Sequence, residues 1–362
     1  MEEATDISLN APQSGFSFVN NRNQKIHVRH YLPESPNKVR GVVLWIHGYG
    51  GHINDPKGTT LGESMSKKGL AIITMDLHGH GYSEGERAYL EDWNHFVDDE
   101  LQFLEMVCLP PGSRACKNKE GSSSDEDPPT TTTAASQLDS GENLGIPADF
   151  LEKLQSPEIP FFLAGESLGG GLAVLMATQM SGHAHLASRF KGFAVIAPAV
   201  VGKPPPYPVV WLLQHLVLPF FPKTLVPQMI EPVNDPNLLW KSPEIIKRNT
   251  EQDTWGQPGA LAWGHNMRFA TGFSLIRMTE HIRSILPEVT CPFYIVHDPD
   301  DGVCEFSGSQ MLFDLAKTDA TKWARAKVLD PFTGSLHDIL WNETEEAISR
   351  ISSWCLEALD AA

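Results

Sequence analysis

The sequence lacks several features that would each have placed it in a class. It has five cysteines (Cys108, Cys116, Cys291, Cys304 and Cys355), an odd number with no C-x-x-C spacing. Neither a disulfide framework nor a structural zinc site is therefore expected, and no metal is assigned. Its start, Met1-Glu2-Glu3-Ala4-Thr5-Asp6, is acidic and has no apolar leader-like run, and position 2 is not the glycine that myristoylation needs. No apolar run reaches the length of about 18 residues that a spanning helix requires. The expectation is a cytoplasmic protein that is not secreted. Positive charge is also scarce: 28 basic residues face 45 acidic ones, for a formal charge of -17. That charge repels a phosphate backbone, so nucleic acid is excluded as a partner, and so is polybasic attraction to anionic lipid.

The composition, 41% hydrophobic and 20% charged over 362 residues, is that of a folded domain with insertions. Short apolar runs alternate with helix-like segments, which predicts an α/β fold with a mostly parallel sheet flanked by helices. The predicted strands are Val42 to Ile46, Leu70 to Met75, Pro160 to Ala164, Phe193 to Ala197, Phe293 to His297 and Ala324 to Leu329. Helical spacing of Trp93, Phe96, Val97, Leu101, Leu104 and Val107 predicts one amphipathic helix, and Ala347, Ile348, Ile351, Trp354, Cys355 and Leu359 predict another. Residues 112–147, rich in Ser, Thr, Pro and acids, read as a disordered low-complexity insertion. From 201 to 284 the strand pattern stops and proline, tryptophan and helix-like segments take over. That stretch reads as a cap inserted into a core made of 1–200 and 285–362.

The most specific signal is Gly165-Glu166-Ser167-Leu168-Gly169, with an apolar strand before it and a small-residue helix after it. G-x-S-x-G in this context is a nucleophile elbow, which makes Ser167 the candidate nucleophile and leaves Glu166 at most a supporting role. Serine needs a base held by an acid, and the chain order for this fold is Ser, then Asp or Glu, then His. Asp298, Asp300 and Asp301 follow the strand ending at His297, and spacing alone does not choose among them. His337 follows the last predicted strand and is the candidate base. The loop His47-Gly48-Tyr49-Gly50-Gly51 follows an early strand, so the N–H groups of Tyr49 and Leu168 are the candidate oxyanion donors. No organic cofactor is called for.

Taken together, His47-Gly48-Tyr49-Gly50, Asp76-Leu77-His78-Gly79-His80-Gly81-Tyr82-Ser83, the Ser167 motif, and Asp301-Gly302-Val303 with Leu336-His337 resemble the monoacylglycerol lipase family of α/β-hydrolases. The likeness is closest to a plant-like branch with lysophospholipase-like and caffeoylshikimate esterase-like members. The resemblance implies Asp301 as the acid, although Asp298 stands where the family usually has glycine. It also implies that His78 and His80 belong to a structural loop, and that the substrate is a lipid or other ester. In the cap, Tyr207 to Phe221 is apolar almost all round. Val210, Leu213, Leu216 and Val217 are therefore expected to wall an acyl tunnel, and the same stretch is expected to touch a membrane or lipid-droplet surface.

Overall fold

The computed structural model describes residues 15–114, 143–203, 205–227, 235–251 and 260–361. Eight strands form one sheet in the order β1-β2-β4-β3-β5-β6-β7-β8. They are β1 (Phe16–Val19), β2 (Lys25–Tyr31), β3 (Gly41–Ile46), β4 (Leu70–Met75), β5 (Phe161–Glu166), β6 (Phe190–Ile196), β7 (Phe293–His297) and β8 (Lys327–Pro331). From β4 to β8 all neighbours are parallel, whereas β1 and β2 pair antiparallel at one edge.

Strands β3, β4, β5 and β7 are buried along their whole length, because helices cover both faces. On one side of the sheet are α2 (Asn94–Cys108), α3 (Ala148–Gln155), α4 (Leu168–Gln179) and the short α5 (Ala184–Ala187); on the other are α1 (Pro56–Lys67) and α12 (Thr344–Asp360). The two faces make two apolar clusters, one around Phe96, Leu104 and Leu172 and one around Phe162, Tyr294 and Trp354. Between β6 and β7 come α6 (Tyr207–Leu212), α7 (Pro236–Leu239), α8 (Pro243–Glu251) and α9 (Phe269–Ile285). The last two helices before α12 are α10 (Phe306–Leu315) and α11 (Ile339–Asn342).

Leu70–Met75 and Phe293–His297 keep their predicted bounds, the other four strands shift by one to three residues, as Phe193 to Ala197 becomes Phe190–Ile196, and two of the shifted starts have a local cause. Pro160 has no N–H to give to a ladder, so β5 starts at Phe161 while the Pro160 carbonyl accepts the Val42 N–H at 2.9 Å. The last strand begins at Lys327 and not at Ala324, because Ala326 N–H closes a turn onto the Trp323 carbonyl at 2.9 Å. The predicted insertion at 112–147 has packed flanks. Asn143 exchanges backbone hydrogen bonds with Ser17 at 2.8 and 3.0 Å, and Leu144 and Ile146 pack on the core. Residues 115–142 lie outside the described residues.

Candidate active site

The turn between β5 and α4 is built by close backbone approach. A Cβ on Gly165 would lie 2.6 Å from the Gly169 carbonyl carbon, and one on Gly169 would lie 2.1 Å from the Ile46 oxygen. Neither position tolerates a side chain. Ser167 between them has φ 53° and ψ -117°, a strained conformation for a residue with a Cβ. It is held there by its N–H to the Ile196 carbonyl at 2.9 Å and by its own carbonyl, which accepts from Gly171 and Ala199. The strain lifts the hydroxyl out of the sheet.

His337 lies between β8 and α11, and its Nε2 is 2.9 Å from Ser167 Oγ. Its Nδ1–H donates to Asp301 Oδ2 at 2.7 Å, which fixes the tautomer that leaves Nε2 free to accept the serine proton. Asp301 is in turn fully engaged. Oδ2 also accepts His297 Nε2–H at 3.1 Å, and Oδ1 accepts the N–H groups of Val303 and Cys304 at 2.6 and 3.0 Å. Burial alone would raise its pKa, but the charge of His337 and these hydrogen bonds outweigh it and hold the carboxyl well below the usual range. For His337, burial disfavours the charged form, yet Asp301, Asp338 and Glu166 outweigh that and push its pKa above the ordinary value.

The two competing aspartates have other places. Asp298 is fully buried and accepts the backbone N–H groups of Asp300, Ser335 and Leu336, so it braces the loop that presents His337. Asp300 is exposed.

The loop after β3 runs beside the serine: a Cβ on Gly48 would lie 3.3 Å from Ser167 Cβ. Tyr49 lines the cavity with Ser167 and donates its hydroxyl to the Ala88 carbonyl at 3.0 Å. Leu168 is the first residue of α4, where N–H groups have no partner inside the helix. His47 is buried as a neutral brace, its pKa pushed down to about 4 by burial, with Nε2 accepting the Leu77 N–H. His78 hydrogen-bonds the Asp99 carboxylate and His80 the His78 carbonyl, and neither lines the cavity. Asp76 anchors the same loop by accepting the Ile53 and Tyr82 N–H groups.

Ser167 and His337 open onto a cavity of about 380 Å³, within the range of small-molecule sites, roughly 300 to 1,000 Å³. One part of its wall is apolar, from Val210, Leu213, Phe269, Phe273, Ile276 and Met278. Another part is polar, from Asp55, Lys57, Glu166, Asp338 and Asn249. Of the four expected tunnel residues, Val210 and Leu213 line the cavity, whereas Leu216 and Val217 do not. The cause is a π-helical turn over Leu213–Val217, closed by Leu218 N–H onto the Leu213 carbonyl at 2.8 Å. The wider turn rotates the following residues off the face that an α-helix would have kept. Leu216 is instead exposed, along with Tyr207, Trp211, Leu212, Phe220 and Phe221.

Sequence reasoning missed Lys57, Asp338 and Asn249. Lys57 and Asn249 carry no motif. Asp338 had one available signal, its adjacency to His337.

Comparison with known proteins agrees with this architecture. Residues 37–116 and 147–345 match the family described as serine aminopeptidase, S33. The human monoglyceride lipase is 24% identical over 341 residues, 93% of this chain and 88% of that one. The caffeoylshikimate esterase of Arabidopsis thaliana is 23% identical over 332 residues, 91% and 80% of the two chains. Among solved structures, a soluble variant of the Saccharomyces cerevisiae monoglyceride lipase bound to a substrate analogue superposes with a TM-score of 0.64 at 17% identity. The match covers 98% of this chain and 97% of that one. The monoacylglycerol lipase of Paleococcus ferrophilus gives 0.60 at 19% identity, covering 93% and 99%. With its eight-stranded α/β-hydrolase sheet and its match over most of its length, this chain belongs to the S33 serine hydrolase family and is a serine ester hydrolase.

Proposed function

We propose that the protein cleaves monoacylglycerol to fatty acid and glycerol, with Ser167 as nucleophile, His337 as general base and then acid, and Asp301 as the residue that orients His337. The observation that carries this reading is the continuous hydrogen-bonded chain Asp301–His337–Ser167 at the mouth of a cavity with an apolar and a polar wall. His337 Nε2 takes the hydroxyl proton as Ser167 Oγ attacks the ester carbonyl. The N–H groups of Tyr49 and Leu168 stabilise the oxyanion. Collapse breaks the bond to the alcohol, which leaves as glycerol with the proton from His337. Water, deprotonated by His337 in its turn, attacks the acyl-serine and releases the fatty acid.

Residues 201–284 act as the cap that carries the apolar wall. The exposed apolar face made by Trp211, Leu212, Leu216, Phe220 and Phe221 supports contact with a lipid surface where such substrates reside. Among the described residues no helix is long and apolar enough to cross a membrane. On the polar wall, Asn249 is buried with both carboxamide atoms unpartnered, a cost of about 1–3 kcal/mol that a substrate hydroxyl would relieve.

The resemblance to a caffeoylshikimate esterase favours a hydroxycinnamoyl ester as the second reading. A turnover panel of monoacylglycerol, lysophosphatidylcholine, p-nitrophenyl butyrate and a caffeoyl ester tests the choice. Monoacylglycerol is expected to give the highest kcat/KM, and Asn249→Leu to raise its KM more than that of the butyrate. Ser167→Ala is expected to abolish fluorophosphonate labelling and to lower turnover by about a millionfold. Preference for the caffeoyl ester would overturn the substrate assignment, and retained labelling in folded Ser167→Ala would overturn the nucleophile.

A further inference from the structure

A buried cation is costly unless its contacts are filled. Lys57 of α1 is such a cation, 9% exposed, with Nζ donating to Glu166 Oε1 at 2.6 Å and to Asp338 Oδ1 at 3.0 Å. Its partners are placed unusually. Glu166 directly precedes Ser167, and Asp338 directly follows His337. Asp338 also caps α11 by accepting the Trp341 N–H at 3.2 Å, and its other oxygen accepts Trp240 Nε1–H at 2.9 Å. One ammonium therefore joins the peptide beside the serine to the peptide beside the histidine, from a third element.

We propose that Lys57 is a positioning residue: a buried ammonium clamp that holds the serine turn and the histidine loop in register and moderates the negative field that Glu166 and Asp338 exert on His337. The inference rests on the assignment of Ser167 and His337 made above. The groups facing His337 are Asp301 at Nδ1, Ser167 at Nε2, and the carboxyls of Asp338 and Glu166. Around Lys57 stand Asp338, Glu166 and Asp55, the last being the N-cap of its own helix. His47 and His52, from the loop after β3, are kept neutral mainly by burial. Burial pushes Asp55 up to about 7, with Lys57 opposing, so the cluster holds at least two acids in competition for one cation. Removing Lys57 leaves Asp338, which still accepts the Trp240 Nε1–H and Trp341 N–H groups, uncompensated beside His337, and His337 then holds its proton more tightly, while Glu166, whose pKa burial raises against Lys57, moves toward its neutral form. Neutralising Glu166 does the reverse.

The test measures kcat, KM and the pH profile of kcat/KM on p-nitrophenyl butyrate for the wild type, Lys57→Met, Lys57→Arg and Glu166→Gln. Lys57→Met is expected to lower kcat by about 10- to 100-fold with little change in KM, the size of effect that misplacement of reacting groups produces. Its acid limb should move up by about one pH unit, the effect of one charge at close range. Glu166→Gln should move the limb down, and Lys57→Arg should restore most of kcat and the limb. Limbs that stay put in both Lys57→Met and Glu166→Gln, or that move the same way, overturn the clamp, because a residue that only packs would shift neither. If Lys57→Met does not fold, Glu166→Gln and Lys57→Arg decide: a limb unmoved by Glu166→Gln overturns it. Wild-type labelling at Ser167 by a fluorophosphonate is read on the same preparation. Absence of that labelling overturns the Ser167 and His337 assignment itself, whereas labelling with unmoved limbs overturns only the role of Lys57.

Discussion

Replacing Asp301 by Asn removes one charge and turns one acceptor into a donor, and the structure says where that donor must go. Oδ1 faces two backbone N–H groups, of Val303 and Cys304, which cannot change. The new NH2 is therefore driven to the Oδ2 side, where it meets His337 Nδ1 and His297 Nε2. Both are imidazoles, and both can answer by moving their proton to the other nitrogen. For His297 that shift lets Nδ1 donate to Ser309 Oγ at 2.7 Å, but it turns the Nε2 lone pair toward the Cys304 carbonyl at 3.2 Å. For His337 it places a proton on Nε2, facing Ser167 Oγ, and the base is lost. The expected cost is about 10⁴ in turnover, or about 5.4 kcal/mol of transition-state stabilisation. The assay is kcat on p-nitrophenyl butyrate, with the folded fraction checked by circular dichroism. Asp300→Asn, on an exposed residue, should stay within about twofold. Loss of less than 100-fold in Asp301→Asn, or equal loss in Asp300→Asn, would refute the reasoning.

Because the proposed base His337 would have to be neutral to act and its pKa is raised above 6.5, kcat/KM should fall to half its plateau at a pH above 6.5 as pH is lowered. A limb below 6 would contradict the charge environment described. Asp301, held low, should stay ionised across that range and add no second limb near it. In the cap, Leu213→Asp should depress long-chain hydrolysis by at least about tenfold while Leu216→Asp reduces binding to phosphatidylcholine vesicles, since the first residue lines the cavity and the second faces outward. Equal effects of the two on both measurements would contradict that division. Replacing residues 115–142 with a short Gly/Ser linker, while keeping Asn143 and its pairing to Ser17, should leave the thermal midpoint and butyrate turnover nearly unchanged. A drop of more than about 5 °C would show that the segment's composition misleads.

Strands β3, β4, β5 and β7 were legible because helices on both faces make each one a nearly continuous apolar run, whereas β8 is half-buried and mixes Lys327 and Asp330 with Val328 and Leu329. The antiparallel pair at the edge was not legible. In Lys25–Tyr31 the sequence Lys-Ile-His-Val-Arg-His-Tyr mixes basic and apolar side chains, and β1 has only four residues. The meeting of Ser167 with His337 was foreseeable because each sits in a local motif whose order along the chain is fixed by the fold. Choosing among Asp298, Asp300 and Asp301 needed the resemblance, since what separates them is direction: Asp301 meets His337 while Asp298 accepts three backbone N–H groups. The Lys57 cluster was beyond reach for a different reason. Its members stand at 57, 166 and 338, and only the folded sheet brings them together.

Helix α9 serves two neighbourhoods at once. Phe269, Phe273 and Ile276 face the cavity, while Ile282 is buried in the core, and Gly171 leaves only 3.3 Å between a would-be Cβ and the ends of Met278 and Ile282. A wall anchored in this way cannot retreat from a bulky acyl chain without unpacking the sheet's own cover. For the proposed acyl substrate it would work as a fixed gauge, and adaptation to chain shape would fall to Val210 and Leu213, which line the same cavity and are only half-buried. Chain-length preference should then follow substitutions at the cavity end of α9 in steps of side-chain volume, whereas looseness toward branched or kinked chains should follow α6. The tryptophan at 211 would report that looseness in its emission when such a substrate enters.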